Sequence, residues 1–198
     1  MQLRHTVRFT RRNLPHWEVE GGRYFITVRC ADSLPREVTL RLLEVQQALH
    51  AVEPRSEVYA QLQRRYFATM EKHLDAGHGA CVLRISGAAE ILVAEFEALA
   101  EWQVAVPHLT IMPNHWHALM VPAPGCVHSL SDIMKRVKGR SALGIRAKLG
   151  GRGAVWQREW FDRWMRSDAE WEKCVAYIRN NPVKAGLASD WREHPWTK

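Results

Sequence analysis

Little in this chain points to cross-linking or membrane anchoring. Its four cysteines, Cys30, Cys81, Cys126 and Cys174, stand far apart, so no pair has the close spacing of a zinc knuckle or a redox dithiol. They read as isolated reduced thiols. No apolar run approaches the ~20 residues that span a bilayer, and the opening stretch, with Arg4, Arg8, Arg11 and Arg12, has no charged-then-apolar leader. Internal repeats, low-complexity tracts and long linkers are missing too. Acidic residues are in deficit: 28 Lys plus Arg against 21 Asp plus Glu leave a formal charge of +7. That excess suits a polyanionic partner, because each cation set against a phosphate releases condensed counterions, but it is silent about fold. What remains is a chain of 198 residues, 46% hydrophobic, the size of one compact domain in the cytoplasm.

Local patterns divide the chain. A basic arm occupies residues 1–20, and Gly21-Gly22 then precedes the β-branched and aromatic run Arg23 to Cys30, which predicts a first strand. Pro35 opens a helix whose apolar residues Val38, Leu42, Val45 and Leu49 recur at helical spacing up to Val52. A second helix is predicted from Glu57 to about Ala76, with the stripe Val58, Leu62, Tyr66, Met70 and Leu74. A third runs from Ala88 to Trp102. Two short apolar runs, Val104 to Thr110 and His115 to Val121, flank Pro113-Asn114 and predict an antiparallel hairpin. Ser129 caps a basic helix ending at Gly150-Gly151. A Trp-rich stretch follows, and then Ser167 caps a helix that Pro182 should end.

Strand alternation places His115 and His117 on one face and Trp116 on the other. Two imidazoles side by side can hold a divalent cation, though such pairs also occur as ordinary hydrogen-bonded histidines. Leu119 and Val121 continue their face, which implies that it is covered. On the helix after Ser167, Tyr177 falls on the shoulder of an apolar face made by Trp171, Cys174, Val175 and Ile178, and Asn181 lies one turn beyond it. Taken alone, Tyr177 could equally be a core-edge tyrosine with a wet hydroxyl.

The segments Gly22 to Thr27, Met112-Pro113-Asn114-His115-Trp116-His117, Val155 to Arg158 and Tyr177-Ile178-Arg179-Asn180-Asn181-Pro182-Val183 occur together and in the order found in REP-associated tyrosine transposases. From about residue 20 to Trp196 the chain resembles that family, which belongs to the HUH single-strand nucleases. The resemblance implies an α+β, ferredoxin-like antiparallel sheet with helices packed on one face. It also implies His115 and His117 as metal ligands, Asn181 as a third ligand and Tyr177 as the nucleophile. Residues 36–77, with two helices where the smallest relatives have one, read as a helical insertion. The implied setting is a bacterial, nucleoid-associated enzyme, a monomer or homodimer, acting on single-stranded or hairpin DNA of the repetitive extragenic palindrome type.

Such chemistry needs these residue types. A phosphodiester repels nucleophiles by its charge, and a divalent metal on neutral imidazoles offsets that charge; Mg²⁺ or Mn²⁺ is expected. A phenol, with an ordinary pKa of about 10, is a weak nucleophile at neutral pH that a cation can activate. As the resemblance implies, attack would leave a 5′-phosphotyrosine and a free 3′-hydroxyl. Lys135, Arg136, Lys138, Arg140, Arg146 and Lys148 on the basic helix are candidates for tracking phosphates, as are Arg158 and Arg163, and the arm residues Arg8, Arg11 and Arg12 could read bases beside a hairpin. Two other readings stay open: a hairpin-binding regulator that has lost turnover, and a zinc hydrolase using His108 as a further ligand.

Overall fold

The computed structural model describes residues 6–11, 14–54 and 56–198. In chain order its elements are β1 (Thr6–Arg11), β2 (Pro15–Val19), β3 (Arg23–Arg29), α1 (Arg36–Ala51), α2 (Glu57–Leu74), α3 (Ala88–Glu97), β4 (Val104–Met112), β5 (His115–Pro122), α4 (Leu130–Leu149), β6 (Phe161–Met165) and α5 (Asp168–Lys184). Among the described residues no helix is long and apolar enough to cross a membrane.

Four strands form an antiparallel sheet ordered β4-β5-β3-β6. Two split βαβ crossovers give that order: β3 leads through α3 to β4, and β5 leads through α4 to β6. This is the ferredoxin-like arrangement that the sequence predicts, with β5 and its histidines at the centre. Alternation along β3 and β5 sorts the sheet into two cores. Tyr24, Ile26, Val28, Trp116, Ala118 and Met120 pack beneath α3 and α4 through Leu92, Phe96, Ile133 and Val137. Phe25 and Leu119 face the other way, into a second core with α1, α2 and α5. The helices of the ferredoxin-like unit therefore share one face, as expected, and the structure adds a second helical layer opposite them.

That second layer holds the least predictable elements. One crossover helix, α3, already joins β3 to β4, so the α1–α2 pair is additional to the unit, and its apolar sides Val38, Leu42, Leu49, Tyr66, Met70 and Leu74 bury against each other and α5. The predicted stripe of α2 is rotated by one residue at its start: Val58 is 52% exposed and Tyr59 is buried. The larger aromatic ring wins the core position at the first turn. α5 also outruns its prediction, since Pro182 sits inside it. A proline near a helix end loses one bond but tolerates the geometry, and the stop comes at Gly186, φ 67°, where Leu187 N–H donates to Pro182 O (2.8 Å) and Gly186 N–H to Val183 O (3.0 Å). The caps at Ser129 and Ser167 form as predicted, accepting from Asp132 N–H and Glu170 N–H.

The basic arm is a β-hairpin, β1 paired with β2. It docks beside β6 through a buried polar cluster: His16 Nδ1 contacts Asp162, and His16 Nε2 lies 3.7 Å from Glu159. Trp160 stacks on the imidazole, with ring centroids 4.3 Å apart. Burial opposes a charge on His16, but Asp162 and Glu159 outweigh it and raise its pKa to about 9, so it is an imidazolium at neutral pH. Arg8 is exposed on β1, while Arg12 and the side chain of Arg11 lie outside the described residues.

Candidate metal and tyrosine site

Register builds the floor of the site. Thr27 and Thr110 stand opposite His117, and Arg29 and Met112 opposite His115. Both imidazoles project from the face covered by α2 and α5, and both are almost wholly buried. Their outward nitrogens are held from behind. Asn114 donates from its amide nitrogen to His78 O (2.9 Å) and Leu74 O (3.4 Å), which turns its oxygen toward His115 Nδ1 at 2.8 Å. An amide oxygen only accepts, so His115 Nδ1 carries the proton and Nε2 keeps its lone pair. Thr27 Oγ1 meets His117 Nδ1 at 2.8 Å, where a hydroxyl can donate or accept. Such rear contacts set tautomer and ring direction in metal-binding histidines.

The forward atoms converge. Neither His115 Nε2 nor His117 Nε2 has a hydrogen-bond partner, and the same holds for Glu71 Oε1 and both amide atoms of the buried Asn181. Glu71 Oε2 lies 3.5 Å from His117 Nε2. Ligand atoms of Glu71, His115 and His117 fall within 4.8 Å of one another, a grouping that suits one cation. An unpaired buried polar group costs about 1–3 kcal/mol, and several aimed at one spot fit a bound ion. His115 is neutral there: burial and then the neighbouring His117 depress its pKa to about 3. Burial works against ionising Glu71, yet His117, His115 and a hydrogen bond from Tyr177 hold its pKa at about 2. A deprotonated carboxylate beside the neutral His115 imidazole is a state that suits a divalent ion.

Tyr177 completes the cluster from above. Val175, Ile178 and Asn181 of α5 face the core, which leaves the Tyr177 ring half-buried on the helix shoulder. The ring packs edge-on to His117 and Phe25, with centroids at 5.3 and 5.7 Å, and its hydroxyl donates to Glu71 Oε2. Burial, followed by the charge and hydrogen bond of Glu71, pushes the phenol above its ordinary pKa, while Asn181 pulls the other way. In this state the hydroxyl is a protonated donor tied to a carboxylate.

Thus His115, His117, Asn181 and Tyr177 are brought together. Glu71, Thr27 and Asn114 join them without having been singled out in the sequence. Glu71 had one visible signal: it repeats Phe67 and Leu74 at helical spacing, a lone carboxylate along a side that is otherwise apolar. His108 is on β4 beside Trp171 and outside the Glu71, His115 and His117 group, so the zinc hydrolase reading has no added ligand there. The basic residues of α4 lie across the sheet from the site. Arg136 pairs with Glu101 (2.8 Å) over Trp102, Arg140 with Glu95 (3.1 Å) and Lys135 with Asp132 (3.3 Å), while Arg146 donates to Gly153 O (3.3 Å). Lys148 packs its chain against Gly87. Lys138 donates to the carbonyls of Gln157 (2.8 Å) and Arg158 (2.6 Å), and burial lowers its pKa to about 8. Arg158 itself is exposed. Arg163 is the one predicted phosphate contact on the histidine side of the sheet, opposite Phe25.

A ferredoxin-like sheet carrying paired imidazoles on its central strand, under a helix-borne tyrosine, is the arrangement that the resemblance in the sequence motifs implies. The family model described as "Transposase IS200 like" matches residues 88–181, so the stretch from α3 through Asn181, with both histidines and Tyr177, is similar to that family. The fold is similar to that of the REP-associated tyrosine transposase solved bound to a REP hairpin, with a TM-score of 0.51 at 16% identity, covering 90% of this chain and 76% of that one. A candidate transposase from Deinococcus radiodurans aligns over 91% of this chain and 97% of its own, at 14% identity and a TM-score of 0.38. No curated protein sequence matches significantly.

Proposed function

We propose that this protein is a transposase that cleaves and rejoins single-stranded DNA beside hairpins, through a 5′-phosphotyrosine link and with a divalent cation. One observation carries the reading: the forward nitrogens of His115 and His117, unpaired and buried, and the Tyr177 hydroxyl meet at one carboxylate, Glu71. The IS200-like match over residues 88–181 supports it, as does the REP hairpin held by the structurally similar transposase.

His115, His117 and Glu71 would hold the cation, with the Asn181 amide beside them. Mg²⁺ or Mn²⁺ bound there would supply positive charge to offset that of the scissile phosphate. Tyr177 is aimed by its ring contacts with Phe25 and His117. Its proton passes to water as the phenolic oxygen attacks phosphorus, because Glu71, held ionised and engaged as a ligand, is too weak a base to keep it. The bond from phosphorus to the 3′-oxygen breaks, and that oxygen takes a proton from water. The phosphotyrosine conserves the bond, so a 3′-hydroxyl attacking in reverse rejoins strands without an energy donor.

Labelled hairpin DNA with a single-stranded flank, incubated with the protein and Mn²⁺, should yield a covalent adduct that Tyr177→Phe abolishes. An adduct surviving that substitution refutes the assignment. Hairpin binding with no adduct under any divalent cation would instead favour the regulator reading.

A further inference from the structure

Both additions to the ferredoxin-like unit, the β1–β2 hairpin and the α1–α2 pair, end at the same place. They wall a cavity of about 460 Å³ over the edge of β6, and Tyr177 stands in its lining. That volume falls in the range of sites for compact organic ligands, roughly 300–1,000 Å³. Trp17 from the first addition and Phe67 from the second meet Tyr177 there, all three half-buried, so each contributes aromatic surface to the space. Phe67 lies tilted against Tyr177, with centroids 5.8 Å apart.

Charge around the cavity is biased. Its three carboxylates are engaged: Glu57 with Arg64 (2.9 Å), Glu170 with Arg163 (2.9 Å) and Asp162 with His16. Arg166 and Lys173 on the same wall have no ion pair of their own among the described residues, and Lys173 lies one helical turn before Tyr177. Arg166 also lies over the Trp164 ring, 5.6 Å from its centroid, and aromatic surface beside cations that outnumber the carboxylates is the chemistry that receives an unpaired base and its phosphate.

We infer that this cavity takes one unpaired nucleobase of the strand that Tyr177 attacks, stacked against Trp17 and Phe67, with Lys173 and Arg166 on the adjoining phosphates. The inference rests on the function proposed above but goes beyond it. It assigns the two added elements a joint task, selecting which phosphate lies against Tyr177. A regular duplex end is the competing occupant, and it is too wide for a cavity of this size.

The test reads binding alone, in EDTA, by fluorescence anisotropy of a hairpin with a single-stranded flank in which each flank position in turn is made abasic. One position should weaken binding about tenfold, with small effects elsewhere. Ala60→Trp, which fills the cavity from α2, should bind the intact flank about tenfold more weakly and become indifferent to the abasic position. Lys173→Glu, an exposed change remote from the core, should weaken the flanked hairpin while leaving a flankless hairpin unaffected. A penalty spread evenly along the flank, the same penalty surviving in Ala60→Trp, or a flankless hairpin bound as tightly as a flanked one would overturn the inference. Because no cleavage is needed, a position-specific penalty without any Mn²⁺-dependent adduct would defeat the phosphotyrosine reading and leave the cavity assignment standing.

Discussion

Two buried histidine clusters lie on either side of β3, and they have opposite characters. His16 faces Asp162 and Glu159 and is held charged, with its pKa raised to about 9. His115 faces another histidine and is held neutral, with its pKa lowered to about 3. Burial opposes the charged form in both, so the neighbours decide the outcome. In the first cluster each ring nitrogen faces a carboxylate, and the effect is a latch between the arm and β6. His16 Nε2 and Glu159 Oε2 lack a hydrogen bond but face each other at 3.7 Å, whereas in the second cluster the rear nitrogens are satisfied and unpaired atoms of four residues, His115, His117, Glu71 and Asn181, are left open. Orphaned lone pairs converging on one point, more than burial or an unusual pKa, separate a site from a structural lock.

The sharpest way to break that contrast is metal binding. His115→Ala should lower Mn²⁺ affinity by about a hundredfold or more, read by electron paramagnetic resonance, and Glu71→Gln by about tenfold. His16→Gln should leave it unchanged; an equal loss there would erase the distinction. The next effect is on stability. His16→Gln strands the buried Asp162 and should cost on the order of 3 kcal/mol in denaturant unfolding.

The smallest effect is in pH dependence, where the two clusters should act at opposite ends. His16 has a folded pKa of about 9 against an ordinary 6.5. Its stabilisation is complete below about 6.5 and disappears as pH rises through 9. His115 is depressed, so the unfolded chain takes up a proton below about 6.5 that the folded chain refuses until about pH 3. Metal-free stability should therefore fall on both sides of neutrality. His16→Gln should flatten the alkaline limb and His115→Gln should soften the acid one, both measurable by thermal unfolding. An alkaline limb that persists in His16→Gln would place the latch elsewhere.

These contrasts explain what could be read in advance. His115 and His117 followed from the period of a strand, and Tyr177 with Asn181 from the period of a helix, since each pair lies within one turn or pleat. The ferredoxin-like antiparallel sheet followed from the family resemblance, with which the order of elements agrees. Glu71 did not, because nothing local relates residue 71 to residue 177; the α2–α5 packing that joins them is set by side chains from four elements. The basic residues of α4 looked suited to DNA, yet a residue type shows neither which face of the sheet its helix covers nor that Glu95 and Glu101 will lie beside it. The arm's strands were hidden in the same way, since alternation among arginines has no apolar signature.

The separations along the chain that close the site have a kinetic consequence. Tyr177 and Glu71 are 106 residues apart, and Thr27 and His117 are 90 apart. Contacts of such long range form only after large loops have closed, and they are slow to appear. A chain still being synthesised, with α5 not yet made, can present the histidine pair but neither the attacking hydroxyl nor Asn181. The candidate site therefore arises late in folding, when strand order, helical layer and latch are already in place, and a half-folded molecule lacks it.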